Sequence, residues 1–193
     1  MFLKNKKFKL VALICLTSIM CIFGVVGFTS NANDKDVNSI QKVVVKAIEL
    51  DQTLPIMQGD FSKNDNKMTD NAKSEHKKYI VDELTKVYSS SSQILAQRIS
   101  QMGGTIDVQE KQHFRAEDGG VKSPEFLSVT VNGDNAVAEL NATTWSKFTE
   151  YVDGKSKSFT PENRAKYTCT LVNEDGAWKV TGVTLDFLPG QEP

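Results

Sequence analysis

The spacing of apolar residues changes halfway along the chain, and this change constrains the fold more than any other feature. Before Gly104, apolar residues recur every three or four positions, which is the spacing of amphipathic helices. After Gly104, they alternate with polar residues, as in β-strands that bury one face. We therefore expect an α+β fold in which N-terminal helices pack on a curved antiparallel β-meander.

The helical half contains two apolar stripes. The first covers residues 37–54, and Pro55 forces its end because the residue before a proline avoids helical geometry. The second covers residues 80–102 and is interrupted by four serines at positions 89–92. A serine hydroxyl competes for backbone hydrogen bonds, so this run is a poor helix interior.

The serine run predicts a bend between two helices. Ser90 and Gln93 form a capping-box pattern, which is typical of the start of a new helix. We expect the pair Gly103-Gly104 to stop that helix, because glycine readily adopts the left-handed conformation of a helix end.

Five strands are predicted in the second half, near residues 105–116, 125–132, 136–152, 163–173 and 177–187. Three of the predicted links are short and carry turn residues: Asp118-Gly119-Gly120, Asn132-Gly133-Asp134 and Glu174-Asp175-Gly176. The fourth, which begins at Asp153-Gly154, is expected to be longer and to include Pro161. Short links join antiparallel neighbours, so the strands are expected to form a meander.

The residue pattern of two strands also predicts which side chains share a face and where the alternation is interrupted. Leu127, Val129 and Val131 alternate and are expected on one face of their strand. In the last strand the alternation slips by one residue at Thr181-Gly182, which predicts a β-bulge. A bulge bends a strand, so this end of the sheet is expected to curve over the helices.

The N-terminus has the order of a secretory signal, with a lysine-rich start, an apolar run and a cleavage site. Residues 10–28 form 19 consecutive positions without a charge. Small residues at Ser30 and Ala32 predict cleavage before Asn33.

We therefore expect a signal peptide over residues 1–32 and a single domain over residues 33–193. A retained membrane anchor is the alternative, because a helix of 19 residues spans about 28 Å, close to the thickness of a bilayer core. In both cases the basic start stays inside the cell. The domain is thus expected to be extracytoplasmic, either secreted or anchored at the outer face of the cell membrane.

The charge of the expected domain excludes some partners. Four of the chain's 23 basic residues and none of its 24 acidic residues lie in residues 1–32, which leaves a net charge of −5. Nucleic acids and anionic membranes bind proteins through clusters of positive charge. We therefore expect no nucleic-acid partner and membrane contact only through the N-terminal segment.

Residues 33–193 contain one cysteine, Cys169, so an internal disulfide is excluded. Cys169 alternates with Tyr167 and Leu171 on a predicted strand, which favours a buried core thiol. An exported domain without disulfides, rich in Lys and Asn, is typical of Gram-positive bacteria.

Three stretches resemble the cone-shaped superfamily of nuclear transport factor two, which includes SnoaL-like domains. The first is "MQGDF" (57–61) followed by "MTDNA" (68–72). The second is "VNGDNAVAELNATT" (131–144), similar to a central hairpin of the family. The third is "EDGAWKVTGV" (174–183), similar to its last hairpin, with Trp178 packing inward. The resemblance is to the exported bacterial branch of this superfamily and implies helices under a curved sheet.

The resemblance implies that the protein is either an enzyme with a catalytic base inside the cone or a binding domain without catalytic activity. Both histidines have charged neighbours: His76 is expected on a solvated helix face, and His113 on an edge strand. Their joint replacement by alanine is expected to change stability by no more than about 0.5 kcal/mol. We therefore assign no catalytic residue.

An aromatic group marks the predicted sheet: Trp145, Phe148, Tyr151, Tyr167 and Trp178. Most of these side chains are expected in the core, and a pocket wall that holds a small apolar ligand is the alternative. The sequence has no Cys/His cluster, EF-hand spacing or glycine-rich phosphate loop, so no metal and no cofactor is predicted.

Three functions remain open. The first is an exported, non-catalytic domain that binds a protein or a small apolar ligand, with a homodimer left open. The second is a small SnoaL-like pocket enzyme, an isomerase or hydrolase. The third is a membrane-anchored subunit of an envelope complex, which requires that residues 1–32 are retained.

Cleavage between Ala32 and Asn33 is directly testable. Mass spectrometry of the exported protein is expected to find Asn33 as the first residue, because small residues occupy the positions that signal peptidase reads. An intact N-terminus in the membrane fraction would contradict this and support the anchor.

Overall fold

A computed structural model of the chain describes residues 34–58, 61–62 and 67–189. The predicted signal peptide and the cleavage site between Ala32 and Asn33 lie outside the described residues. Within them, no helix has the length and apolar character needed to cross a bilayer.

The described residues form three helices and seven strands. The helices are α1 (Asp34–Thr53), α2 (Asp70–Val87) and α3 (Gln93–Gln112). A short hairpin, β1 (Phe61–Ser62) and β2 (Lys67–Met68), lies between α1 and α2. The remaining strands are β3 (Phe114–Asn132), β4 (Asn135–Val152), β5 (Lys155–Phe159), β6 (Glu162–Glu174) and β7 (Ala177–Phe187).

The large sheet is an antiparallel meander in the order β3-β4-β6-β7, and β5 also pairs with β4. Helix α1 lies against β3, β4 and β7, and its buried side chains join the small inward-facing residues of β4 and β6 in one core. The predicted α+β fold, with helices packed on an antiparallel sheet, is confirmed.

The bend between α2 and α3 is confirmed, and contacts with β7 hold it. Ser89 N donates to the backbone oxygen of Val180 at 2.9 Å. The N-cap of α3 is Ser92 rather than Ser90, because its hydroxyl accepts from Ile94 N. The same hydroxyl donates to Thr181 O at 2.9 Å, so a tertiary contact selects this serine.

The predicted strand over residues 105–116 is wrong, because α3 continues to Gln112. Gly103 and Gly104 do not stop the helix, and neither adopts a positive φ. Buried side chains continue the helical face across the two glycines, with Met102 before them and Thr105, Ile106 and Gln109 after them. The helix ends at His113, which takes the left-handed conformation with a φ of 53°.

The predicted turn at residues 118–120 is also wrong, because these residues lie within β3. The ladder shifts register between Ala116 and Asp118, which is a bulge rather than a turn. Gly119 is required by a close approach: a Cβ there would lie 2.8 Å from the backbone oxygen of Gln52 in α1.

The last of three register shifts in β3 overturns the expected face of Leu127. The ladder shifts between Phe126 and Ser128. Phe126 therefore packs on the core together with Val129 and Val131, whereas Leu127 is 49% exposed.

The predicted long link after β4 is a tight turn. Asp153 and Gly154 both have positive φ, 52° and 73°, as a type I′ turn requires. The chain returns at once as β5. Pro161 has no N–H to donate, and it lies between β5 and β6, where its oxygen accepts from Ser146 N at 3.3 Å.

The predicted bulge in the last strand is confirmed. Thr170 pairs with Gly182 and Leu171 pairs with Val180, which leaves Thr181 as the extra residue. A Cβ on Gly182 would lie 2.6 Å from Thr170 Oγ1, so this position favours glycine.

The course of α3 through Gly104 predicts the effect of Gly104→Ala. No atom lies within 4 Å of an added Cβ, and alanine is favoured over glycine inside a helix by about 0.5–1 kcal/mol. The free energy of unfolding, measured by urea titration, should therefore rise by about this amount.

Gly119→Ala is the matched comparison and should lower stability, because its Cβ meets the backbone of α1. A loss of stability in Gly104→Ala would instead indicate a left-handed helix end at this glycine.

Candidate functional site

Two charged side chains lie inside the fold. Asp51 on α1 and Arg98 on α3 expose only 13% and 12% of their side chains. Asp51 Oδ2 lies 3.2 Å from Arg98 Nη2, so the two form an ion pair that joins the helices. Charged groups are rarely buried unless they are paired, and this pair satisfies one oxygen of the carboxylate.

Both residues are carried inward by the apolar face of their helix. Asp51 follows Ala47 and Ile48 by one turn, on the face of α1 that packs on the sheet. Arg98 lies one turn before Met102, which is buried in the main core. The helical period therefore forces each charge into the interior.

Tyr88 completes this group at the bend between α2 and α3. Its side chain is 1% exposed, and its backbone bridges to Val180 of β7. The Arg98 guanidinium approaches the Tyr88 hydroxyl, but the hydroxyl makes no hydrogen bond of acceptable geometry with the described residues. We name Asp51, Tyr88 and Arg98 the interior cluster.

A second atom of the interior cluster lacks a partner. Asp51 Oδ1 is buried and accepts no hydrogen bond from the described residues. Most buried polar atoms in native proteins are hydrogen-bonded. The interior cluster therefore presents one acceptor and one hydroxyl whose hydrogen-bonding capacity the described residues leave unused.

Burial dominates the electrostatics of the interior cluster. It raises the pKa of Asp51, and the positive charge of Arg98 opposes this only in part. Burial alone would lower the pKa of Arg98, but the Asp51 carboxylate together with Tyr88 and Cys169 outweighs it and raises the pKa. Burial, with the nearby Asp51 charge, raises the pKa of Tyr88 far above its ordinary value.

Cys169 and Tyr167 of β6 lie within reach of the same charges. Burial raises the pKa of the Cys169 thiol to about 12 and that of Tyr167 to about 12, although a hydrogen bond with Thr144 opposes the second shift. The predicted burial of Cys169 is confirmed. At neutral pH this cysteine is a protonated thiol and a poor nucleophile.

The aromatic group predicted from the sequence is distributed over several places. Tyr167 and Trp178 are each 5% exposed and belong to the main core. Trp178 Nε1 donates to Asp36 Oδ1 at 3.3 Å, which ties β7 to the start of α1. Phe148 packs in a separate small cluster with Phe114.

The other two aromatic residues are only partly buried. Trp145 lies opposite Gly120 of β3, and the Lys122 ammonium lies 5.2 Å from its ring centroid. Tyr151 N donates to the backbone oxygen of His113 at 2.7 Å. A pocket wall built from all five aromatic residues stays a prediction. Tyr167 lies in electrostatic reach of Asp51 and Arg98.

The solvated position expected for His76 is wrong. Its side chain is 2% exposed, and Nε2 lies 3.0 Å from the backbone oxygen of Leu54. His76 precedes Ile80 by four residues and Leu84 by eight, so helical spacing places it on the buried face of α2. The charged neighbours that suggested a surface position lie on the other faces.

His113 is exposed, as expected, but it does not lie on a strand. It caps α3, and its N–H donates to the backbone oxygen of Gln109. Among the residues that the structure describes, no group of three or more His, Cys, Asp or Glu side chains could hold a metal ion.

No protein-family model matches the sequence, and no curated protein matches it either. A periplasmic fragment of TraM is similar over 79% of this chain and 98% of the fragment, with 10% sequence identity and a TM-score of 0.45. The intermembrane space region of the chloroplast protein ARC6 is similar over 56% of this chain and 78% of that region, with 13% identity and a TM-score of 0.42.

A nuclear transport factor 2 (NTF2-like) superfamily protein from Salmonella enterica serovar Typhimurium LT2 is similar over 49% of this chain and 66% of that protein. The identity is 16% and the TM-score 0.29. NTF2-like proteins are thus among the solved structures that resemble this chain, at low identity and partial coverage. At such identities and TM-scores, these similarities carry no functional inference.

The interior cluster was missed from the sequence, although one signal marks it. Asp51 and Arg98 each interrupt an apolar stripe at a position that the helical period directs inward. A charged residue on a buried helix face has to find a partner inside the fold. Two such positions of opposite charge on different helices therefore indicate an interior ion pair.

The burial of His76 predicts a pH dependence of stability. Burial lowers its pKa, and the bond to Leu54 opposes this only in part. The unfolded chain therefore takes up a proton at about pH 6.5 while the folded protein resists it. Stability is complete above that pH and falls as the pH drops below it, by up to about 1.4 kcal/mol per pH unit.

Urea titrations at a series of pH values between about 7.5 and 5.5 measure this slope. This pH interval lies above the range in which ordinary carboxylates titrate. The variant His76→Gln, whose amide can still donate to Leu54 O, should lose the slope. His113→Gln is the matched control and should keep it. If His113→Gln abolishes the slope and His76→Gln keeps it, the assignment to His76 is wrong.

Proposed function

We propose that residues 33–193 form an exported, non-catalytic binding domain at the outer face of a bacterial cell membrane. The lysine-rich start, the uncharged run of residues 10–28 and the small residues before Asn33 support export. The absence of a disulfide and the Lys- and Asn-rich composition support a Gram-positive cell. The resemblance of residues 57–72, 131–144 and 174–183 supports the exported branch of the nuclear transport factor two-like superfamily.

The observation that carries a binding role is the interior cluster, two of whose polar atoms have no hydrogen-bond partner among the residues that the structure describes. Ligand sites combine apolar walls with a small number of placed polar groups. Tyr88 is part of the main apolar core, and the Asp51–Arg98 pair adds charge to it. A buried ion pair seldom stabilises a fold more than apolar residues of similar size would. Recognition of a ligand gives this pair a function that stability alone does not.

Binding is favoured over catalysis because the nearby side chains are held in unreactive protonation states. The raised pKa values of Cys169, Tyr167 and Tyr88 keep their thiol and hydroxyl groups protonated at neutral pH. A nucleophile requires a lowered pKa or an adjacent base. The carboxylate of Asp51 is engaged by Arg98.

A small pocket enzyme of the SnoaL-like type is the second candidate, and the raised pKa of Asp51 favours it. A carboxyl group with a raised pKa is suited to general acid–base catalysis. In that case Asp51 would exchange protons with the substrate, and the exported protein would convert its ligand rather than retain it.

A membrane-anchored subunit of an envelope complex is the third candidate. It requires that residues 1–32 stay attached, and its partner would be a protein rather than a small molecule. A homodimer is compatible with each of the three functions. The N-terminal mass of the exported protein separates this candidate from the first two.

Extraction of the protein as recovered after export, followed by mass spectrometry of the extract, tests the binding role. The wild-type protein should release one small molecule in stoichiometric amount and unchanged by incubation. The double variant Asp51→Leu/Arg98→Met should fold but release none, because both charges of the interior cluster are gone.

Lys122→Met/Glu162→Gln is the matched control, since it removes an ion pair whose side chains are 49% and 48% exposed. This variant should release the same molecule as the wild type. A wild-type protein that carries no small molecule contradicts the proposed function, and conversion of the molecule during incubation supports the enzyme instead.

A further inference from the structure

The outer edge of β7 is covered over its first half and open over its second half. Within the described part of the chain, β6 is the strand that pairs with β7. The bend between α2 and α3 covers the first half, where Ser89 N donates to Val180 O. Ser92 Oγ donates to Thr181 O beside it. No hydrogen bond from the described residues reaches this edge over residues 183–187.

The register of β7 on β6 shows which residues form the open edge. Leu188 N donates to Arg164 O at 3.4 Å, so residue 188 turns its backbone groups toward β6. Backbone direction alternates along an antiparallel strand, and the ladder has no register shift in this part. The backbone groups of Val183, Leu185 and Phe187 therefore point away from β6. These three residues present N–H donors and carbonyl acceptors to solvent.

The side chains of the open edge are incompletely covered as well. Val183, Leu185 and Phe187 are half-buried, and the first two pack against the main core. The residues of β6 that pair with them are fully in the core: Cys169, Tyr167 and Ala165. The apolar interior thus reaches the surface along residues 183–187, where a further strand would remove apolar area from water.

The other free edges of the large sheet carry features that discourage pairing. Strand β3 is interrupted by Pro124 and by three register shifts. Strand β5 presents Lys155 and Lys157, and both are exposed. Bulges, proline and lysine are the features by which natural sheets protect their edges. Residues 183–187, with the sequence VTLDF, contain none of them, so this edge is suited to pair with another strand.

The open edge is complementary to a second copy of itself. In an antiparallel pair with a two-fold axis at Leu185, this residue faces the partner's Leu185, and Val183 faces the partner's Phe187. Both kinds of pair join residues with outward backbone groups, so each exchanges two hydrogen bonds. Between them, Thr184 faces the partner's Asp186, and no two like charges are opposed.

We infer that residues 183–187 form the contact surface of a homodimer, in which β7 pairs with β7 of a second copy and the two sheets become continuous. A standard protein interface takes about 20–30 residues from each side, and this short strand pair involves far fewer. The dimer is therefore weak and forms in a concentration-dependent way. It does not depend on the ligand-binding role proposed above.

Substitutions of Thr184 test the pairing, because two-fold symmetry makes its contact with the partner's Asp186 occur twice. Sedimentation velocity of the exported protein at about 5 to 500 μM should show a monomer–dimer equilibrium. Thr184→Asp opposes two carboxylates and should raise the dimer Kd about threefold to tenfold. Thr184→Lys opposes unlike charges and should lower the Kd by a similar factor.

Thr130→Asp is the matched control. Thr130 lies opposite Val137 on β3, at the other edge of the sheet, and is half-buried like Thr184. The variant adds the same charge and should leave the Kd unchanged. Urea titration of each variant establishes that it is folded at the concentrations compared.

Leu185→Cys tests the position of the two-fold axis. Residue 185 faces itself across the axis, and Cα atoms of a hydrogen-bonded pair lie about 5.5 Å apart, within the range of a disulfide. Oxidation with diamide should therefore link two copies of this variant. Val183→Cys, whose thiol faces the partner's Phe187, is the control and should remain unlinked. Cys169 is buried and should not react in either variant.

The outcomes decide between the dimer and other uses of this edge. An exported protein that stays monomeric over the whole concentration range overturns the inference and leaves the edge to a strand of another protein. A dimer whose Kd neither Thr184 variant changes also overturns it, because the contact then lies elsewhere. Linking of Val183→Cys without linking of Leu185→Cys overturns the two-fold register. None of these results alters the small-molecule extraction that tests the binding role.

Discussion

The ion pair between Asp51 and Arg98 is the constraint on which the interior of this protein depends. It joins α1 to α3 across the inside of the fold, with both side chains nearly nine-tenths buried. Transferring the two charges from water into the fold costs more than either partner could recover alone. Helix α1 must therefore lie against the sheet, and α3 must follow the bend at Tyr88, for the two charges to meet. The same requirement brings Asp51 and Tyr88 into one region. Within the described part of the chain, Asp51 Oδ1 and the Tyr88 hydroxyl have no hydrogen-bond partner.

The sheet can surround this interior because its two outer long strands, β3 and β7, are bent. Strand β3 shifts register at three places, and β7 carries Thr181 as an extra residue. Bulges increase the local twist and turn the sheet over the helices. Gly119 allows α1 to approach β3 closely, since a Cβ there would meet the backbone of Gln52. The bends of β3 and β7 and the close approach of α1 to β3 thus help to bury the ion pair.

The sequence predicts the fold class, with helices before strands, because apolar periodicity is set by the backbone geometry of helices and strands. It starts the strands too early, at residue 105, and takes the residues of β5 for a loop. It also predicts the bulge at Thr181 and the bend in the serine run. It misplaces the glycines: Gly104 lies inside a helix, and Gly119 serves a close approach instead of a turn. Glycine permits each of these roles, and only tertiary contacts decide among them. His76 was expected at the surface, and Asp51 was missed, because both side chains are polar. The helical period nevertheless directs both of them toward the core.

A double-mutant cycle on the interior ion pair tests this account most directly. Free energies of unfolding would be measured by urea titration for Asp51→Leu, Arg98→Met and the double variant. Each single change should cost about 3–5 kcal/mol, because it leaves an unpaired charge inside the fold, and the double change should cost far less than their sum. Single costs within about 0.5 kcal/mol that add in the double variant would contradict a buried, mutually dependent pair.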